Sequence, residues 1–184
     1  ARKKACQAKS KAACKILRRA QKPSPLRSIL IKEIYLFGGS GGGHAALLAT
    51  AYKPELWNTV ISYVPIVDIR KWHAECKSRG LEFYKDIEAC IGECTPDNYL
   101  YEERSPITYL DKISQVNRLK IYAGKFDNIV DISQSLTFYY EMQQKYPSAN
   151  IFLEVFEGGH FVNYDAVIAY FNDKGLSGML DLSQ

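Results

Sequence analysis

The chain has 184 residues, of which 47% are hydrophobic and 24% charged, as in an ordinary globular domain. No apolar run approaches the roughly 20 residues that span a bilayer, and no signal-peptide pattern follows the charged N-terminus, so we expect neither a membrane span nor secretion. Five irregularly spaced cysteines do not supply the four converging ligands of a zinc site. We therefore expect no metal site, and reduced thiols in a cytoplasmic protein.

Residues 1–32 form a basic head that differs in composition from the rest of the chain. This head holds 11 of the 24 basic residues and no acidic residue, and its apolar side chains fall at helical spacing. Contact with nucleic acid, contact with a membrane surface and an organelle-targeting segment all fit such a charge. Because no aromatic residue precedes Tyr35 to stack on a base, we expect no specific nucleic-acid binding.

Residues 33–184, beyond a segment with two prolines, form the second predicted unit and alternate apolar strands with helices. Strands are predicted at 34–37, 59–64, 119–123 and 151–156, and helices at 42–51, 132–145 and 163–172. A polar stretch with many aromatic residues fills the gap between the second and third strands. Strands that are separated by helices indicate an α/β fold with a mostly parallel sheet covered on both faces.

The glycine-rich segment 38–43 lies between the first predicted strand and the helix after it, and it allows three interpretations. A flexible linker would be flanked by domain ends rather than by a strand and a helix. A phosphate-binding loop is the second interpretation, since Gly41, Gly43 and Ala46 fit G-x-G-x-x-A and Asp68 could hold a ribose. Short glycine patterns of this kind arise easily by chance in such a segment.

The third interpretation is a nucleophile elbow, because Gly38, Ser40 and Gly42 fit the pattern G-x-S-x-G between a strand and a helix. The strand and the helix must pack closely, so we expect little room for a side chain at Gly38 or Gly42. A strained backbone would lift the Ser40 hydroxyl above the sheet. The N–H of Gly41, at the start of the helix, would then face a developing oxyanion.

Such a serine needs a base and an acid, and both follow later strands in the required order. Asp127 follows the third predicted strand, and His160 lies on a glycine turn after the fourth. Asp131 is a rival for the acid, but capping of the helix that follows explains it better. His44 lies on the helix behind the serine, so helix packing explains it better than catalysis.

The polar stretch between the second and third strands contains a histidine and several aromatic residues that are further candidates. We expect His73 to lie at the surface or in a lid rather than in the chemistry. Four aromatic residues of this stretch are candidates for a substrate pocket, with core or lid packing as the alternative: Phe83, Tyr84, Tyr99 and Tyr101.

The sequence between Glu33 and Asn172 resembles the catalytic domain of the prolyl oligopeptidase family of serine peptidases, within the α/β-hydrolase fold. The segments that carry the resemblance are "FGGSGGG", "VPIVDIRKW", "ERSPITY", "GKFDNIV" and "EGGHF". The resemblance implies that Ser40, Asp127 and His160 form the catalytic triad. The resemblance covers only the second half of such a domain, so we expect an α/β-hydrolase fold without its N-terminal strands. In the family, the loop that supplies the second oxyanion donor lies among those strands.

These observations predict a serine hydrolase that acts by acyl transfer and needs no metal or organic cofactor. Peptide bonds are the first expected substrate, since the family resemblance points to them. A carboxylesterase of the same fold and a truncated, non-catalytic fragment are the alternatives. If the chain is truncated, the first strand is an exposed edge, and we expect weak activity and self-association through it.

Overall fold

The computed structural model describes residues 33–173, so the predicted basic head at 1–32 lies outside the described residues. The strands are β1 (Tyr35–Gly39), β2 (Thr59–Tyr63), β3 (Leu119–Gly124) and β4 (Ile151–Phe156). The helices are α1 (Gly41–Tyr52), α2 (Ile69–Ser78), α3 (Phe83–Ile91), α4 (Leu100–Glu103), α5 (Leu110–Ile113), α6 (Ser133–Lys145) and α7 (Tyr164–Asp173). Short 3-10 turns lie at Pro54–Leu56 and Pro106–Tyr109.

The four strands form one parallel sheet in the order β1-β2-β3-β4, which confirms the predicted α/β architecture. Phe37 pairs with Ile61, and Ile121 pairs with Leu153. Because all strands run in the same direction, the segments that follow them meet at one edge of the sheet. This is the edge at which parallel α/β proteins place their ligands.

Alternate residues of the central strands supply the cores on the two faces of the sheet. Val60 and Ile121 pack with α1 and α6 on one face. Ile61 and Tyr122 pack with α7 on the other face. All five residues of β2 are buried, as a parallel strand covered on both faces requires.

The four strands begin and end within two residues of the predicted positions. The stretch between β2 and β3 differs from the expectation, because it contains the four short helices α2 to α5. A side-chain cap fixes the start of α2, and a proline begins one of the 3-10 turns. The Asp68 carboxylate accepts a hydrogen bond from Lys71 N at 2.9 Å at the start of α2, and Pro106 opens the second 3-10 turn.

The described cysteines do not share one redox state. Cys76 is a buried free thiol and Cys94 a partly exposed one, whereas Cys90 is disulfide-bonded. The expectation of reduced thiols throughout is therefore wrong for Cys90. The cysteines consequently do not support a cytoplasmic location. Within residues 33–173, no helix is both long enough and apolar enough to cross a membrane.

The turn between β1 and α1 depends on two glycines that approach other backbone atoms. A Cβ atom added to Gly38 would lie 2.1 Å from the carbonyl oxygen of Gly42. A Cβ atom added to Gly43 would lie 2.9 Å from the carbonyl oxygen of Tyr63. At Gly42 itself, an added Cβ would meet no other described atom within 4 Å. The expectation of little room at Gly42 is therefore wrong, since the close contact involves its carbonyl group.

This difference predicts opposite effects on stability for two alanine substitutions. Gly38→Ala forces a side chain into backbone and should lower the free energy of unfolding by about 3 kcal/mol. Gly42→Ala is the matched control, because it adds a methyl group to an open helical position and should raise stability by up to about 1 kcal/mol. Urea unfolding followed by circular dichroism measures both, and an equal loss in the two variants would contradict the packing described.

Candidate active site

Ser40 is the single residue between β1 and α1, and its backbone is strained. It has φ 53° and ψ −122°, a left-handed conformation that non-glycine residues rarely adopt. Its N–H donates to Tyr63 O at 2.8 Å, and its carbonyl oxygen accepts from His44 N at 3.0 Å. The strain costs about 1–3 kcal/mol. Because both backbone groups are held in this way, the side chain projects from the edge of the sheet where the strands end.

His160 joins Ser40 to Asp127 by two hydrogen bonds. Nε2 of His160 lies 2.8 Å from Ser40 Oγ, and Nδ1 lies 2.7 Å from Asp127 Oδ2. An ionised carboxylate can only accept, so Nδ1 carries the proton and Nε2 of the neutral ring accepts from the hydroxyl. The structure thus brings together the three residues that the sequence predicts as a triad.

The Asp127 carboxylate is buried and fully hydrogen-bonded. Its side chain is 1% exposed, compared with 18% for His160. While Oδ2 faces His160, Oδ1 accepts hydrogen bonds from Ile129 N at 2.8 Å and Val130 N at 2.9 Å. A buried carboxylate with partners of this kind is held in one orientation, because rotation would break charge-assisted hydrogen bonds.

The two loops that carry Asp127 and His160 are bonded to each other through their backbones. Lys125 N donates to Phe156 O at 3.0 Å, and Phe126 N donates to Gly158 O at 2.8 Å. A Cβ atom added to Gly124, the last residue of β3, would lie 2.5 Å from the carbonyl oxygen of Gly159. The sequence patterns did not reveal this requirement for Gly124, although the residue begins the quoted segment "GKFDNIV".

Gly41 begins α1 directly after Ser40 and has its backbone exposed. The first intrahelical hydrogen bond runs from His44 N to Ser40 O, so the N–H groups of the first turn have no helical partner. The Ser40 side chain makes no capping hydrogen bond to this N-terminus. The positive end of the helix is therefore open at the position where a substrate oxygen next to Ser40 would lie.

The remaining polar candidates have structural partners. The Asp131 carboxylate accepts from Ser133 N at 2.9 Å, and hydrogen bonding to Ser133 lowers the pKa of Asp131. Nδ1 of His44 donates to Ile66 O at 2.9 Å, and burial lowers the pKa of that imidazole. Asp68, the candidate ribose ligand, caps α2 as described above.

His73 packs against Tyr84 and Tyr101, among α2, α3 and α4. His73 is buried, and its Nε2 lies 2.8 Å from Glu88 Oε1, so the expected surface position is wrong. Tyr101 is fully buried and donates to Gly92 O at 2.9 Å, whereas Tyr99 is largely exposed. Within residues 33–173, no three His, Cys, Asp or Glu side chains converge as metal ligands would.

The sequence and the fold match known proteins. A family model described as the prolyl oligopeptidase family matches residues 28–174. No curated protein sequence matches the chain at a significant level. Solved structures match at 17–22% identity, which shows the fold alone, and the fold is that of the α/β-hydrolases.

Three of these structures illustrate the match. Uncomplexed acylaminoacyl peptidase from Pyrococcus horikoshii is 18% identical with a TM-score of 0.63, over 82% of this chain and 25% of that one. A puromycin-hydrolysing peptidase from Mycobacterium tuberculosis is 22% identical with a TM-score of 0.61, over 89% and 23%. The Pyrococcus furiosus esterase Pf2001 is 17% identical with a TM-score of 0.51, over 78% and 50%. The chain thus spans about a quarter of the length of the two peptidases.

Proposed function

The chain belongs to the prolyl oligopeptidase family, and we propose that it hydrolyses peptide bonds through Ser40, His160 and Asp127. The observation that carries this proposal is the continuous hydrogen-bonded path from the Ser40 hydroxyl through the imidazole to the buried carboxylate, at 2.8 and 2.7 Å. Each residue in this path follows the carboxyl end of a strand: Ser40 follows β1, Asp127 follows β3 and His160 follows β4.

In the proposed reaction, Ser40 Oγ attacks the carbonyl carbon of the substrate while Nε2 of His160 takes the hydroxyl proton. The imidazolium then gives this proton to the leaving amine, and the C–N bond breaks to leave an acyl group on Ser40. Water attacks the ester in the same way, with His160 again as the base. Asp127 holds Nδ1 protonated throughout and stabilises the imidazolium.

Gly41 supplies one donor for the oxygen that becomes negative in the tetrahedral intermediate. Its N–H follows the nucleophile directly, and the open N-terminus of α1 adds its positive dipole. One such donor typically contributes about 10²- to 10³-fold in rate. The mechanism uses only these groups of the chain and requires no metal or organic cofactor.

Ester hydrolysis is the second candidate, because an ester is attacked by the same serine and needs less help for its leaving group. Parallel assays with a chromogenic peptide amide and a chromogenic ester of the same acyl group separate the two. If the amide is turned over at a rate comparable to that of the ester, the chain is a peptidase. Turnover of the ester alone would identify a carboxylesterase. Absence of both, together with an unlabelled Ser40, would identify a non-catalytic fragment.

A fluorophosphonate probe, which reacts with activated serines, should label Ser40 in the full chain. Ser40→Ala should abolish both labelling and turnover, because no other described serine hydroxyl contacts an imidazole that is bonded to a buried carboxylate. Ser78→Ala is the matched control, since this exposed serine only donates to Glu75 O. Mass spectrometry that locates the adduct on another serine would overturn the assignment.

Two aspartates of the same loop provide a test of the acid. Asp127→Asn should retain the fold yet reduce turnover by roughly 10³- to 10⁴-fold, because His160 would be held in the wrong tautomer. Asp131→Asn should cost little, since an asparagine oxygen also accepts from Ser133 N. Steady-state kinetics of both variants give the ranking, and the reverse ranking would move the acid to Asp131.

We also propose that β1 can pair with β1 of a second copy of the chain. Among residues 33–173, β1 is hydrogen-bonded only to β2. Ile34 and Ser40 bond toward the β2 side, so by strand alternation the backbone groups of Tyr35 and Phe37 point away from it. Sedimentation velocity should show association that increases with concentration, and a monomer at every concentration would contradict this proposal.

A further inference from the structure

The acid loop, defined as residues 125–132 between β3 and α6, is bonded to α2 by two side chains. Nε1 of Trp72 donates to the carbonyl oxygen of Ile129 at 3.2 Å. The guanidinium of Arg79, which directly follows α2, donates to the carbonyl oxygen of Asn128. Trp72 ends the quoted segment "VPIVDIRKW", but the sequence assigns no role to it or to Arg79.

The two carbonyl groups belong to the same peptide groups that hold Asp127. The Asn128 carbonyl shares its peptide group with the N–H of Ile129, and the Ile129 carbonyl shares its group with the N–H of Val130. These two N–H groups donate to Asp127 Oδ1 at 2.8 and 2.9 Å. Two consecutive peptide groups therefore connect α2 donors on one side to the buried carboxylate on the other.

A hydrogen bond accepted at a carbonyl strengthens the N–H donor on the other side of the same peptide group, because the group is polarised as a whole. The peptide group is also planar, so fixing its carbonyl fixes the direction of its N–H. Both effects hold Oδ1 of Asp127 in place and thereby aim Oδ2 at His160. Trp72 is the stronger contributor, since its bond is partly buried, whereas that of Arg79 is exposed and screened.

Helix α2 can serve as a support because its own start is fixed by other elements. Gln134, a buried residue of α6, accepts at Oε1 from Val67 N at 3.1 Å and Asp68 N at 3.0 Å. Ser105 Oγ accepts from Ile69 N at 2.9 Å. The helix is thus tied to the beginning of α6, into which the acid loop leads, so the two ends of the connection cannot move independently.

We propose that Trp72 is a positioning residue for Asp127, acting through the Ile129–Val130 peptide group, and that Arg79 acts in the same way through the preceding one. The proposal rests on the roles proposed above for Asp127 and His160. It assigns a function to the segment between β2 and β3, which supplies support for the acid.

The test compares two tryptophan substitutions in the full chain. Trp72→Phe keeps an aromatic ring to stack on Phe83 but removes the Nε1 donor. Trp57→Phe is the matched control, because it removes a similar bond, from Nε1 to Ala49 O at 3.3 Å, near the far end of α1. Two measurements follow: the NMR signals of the His160 ring nitrogens and their protons, and the rate of fluorophosphonate labelling at Ser40.

In Trp72→Phe, we expect the His160 Nδ1 proton signal to shift and broaden, together with the amide signal of Val130. Labelling should slow by about 2- to 10-fold, the size expected for one lost hydrogen bond. Trp57→Phe should leave the His160 signals unchanged. Unchanged His160 signals in Trp72→Phe would overturn the proposal, since a purely structural tryptophan would affect stability without changing this ring.

Arg79→Met provides a second variant that does not disturb packing, because Arg79 is exposed. Arg79→Met should move the Ile129 amide signal. It should also shift the His160 signals in the same direction as Trp72→Phe does, but by a smaller amount. If Trp72→Phe does not fold, unchanged His160 signals in Arg79→Met overturn the proposal. An unlabelled Ser40 in the unsubstituted chain would instead refute the proposed function. The NMR comparison needs no turnover, so it would still test the positioning role of Trp72.

Discussion

The close contact between β1 and α1 is the constraint on which the position of Ser40 depends. The strand and the helix are joined by this one residue, and a Cβ atom at Gly38 would collide with the carbonyl group of Gly42. Such a short connection forces a strained backbone that costs about 1–3 kcal/mol. Burial of Leu47 alone, which is 0% exposed in the contact of α1 with the sheet, contributes about 1.5–3 kcal/mol. Helix packing is therefore sufficient to maintain the strain.

The sheet order creates a second requirement, because β4 lies at the opposite side of the sheet from β1. The segment that carries His160 must therefore run back across the ends of the strands to reach Ser40. It does so at close range: a Cβ atom added to Gly39 would lie 2.4 Å from Val162 Cγ2, and one added to Gly124 would meet the backbone of Gly159. Glycines at the ends of two strands thus allow this segment to pass close to the sheet.

The sequence predicted the strands well, because each is a short, mostly apolar run bounded by glycine or polar residues. It also singled out Ser40, Asp127 and His160, which the fold brings together, because each of them follows the end of a strand. It failed for α2 to α5, which have ten residues or fewer and too few turns to show a clear period. The expectation of little room at Gly42 came from the G-x-S-x-G pattern, whereas the helical period of α1 points to Gly43. Buried positions of α1 recur from Gly43 at helical spacing, as Gly43, Ala46, Leu47, Thr50 and Ala51, and Gly42 lies off this stripe.

The support of the acid illustrates a limit of a different kind. Asp127 is held by main-chain N–H groups, which any residue except proline provides, so the side chains at 129 and 130 carry no signal of this role. Asn128 is exposed, and Val130 is constrained by its own burial. The side chains that matter lie some fifty residues earlier, on α2 and at its C-terminal end, and they reach the acid through two peptide groups. A sequence pattern pairs side chains with side chains, whereas here the connecting groups are backbone, and only the three-dimensional arrangement reveals them.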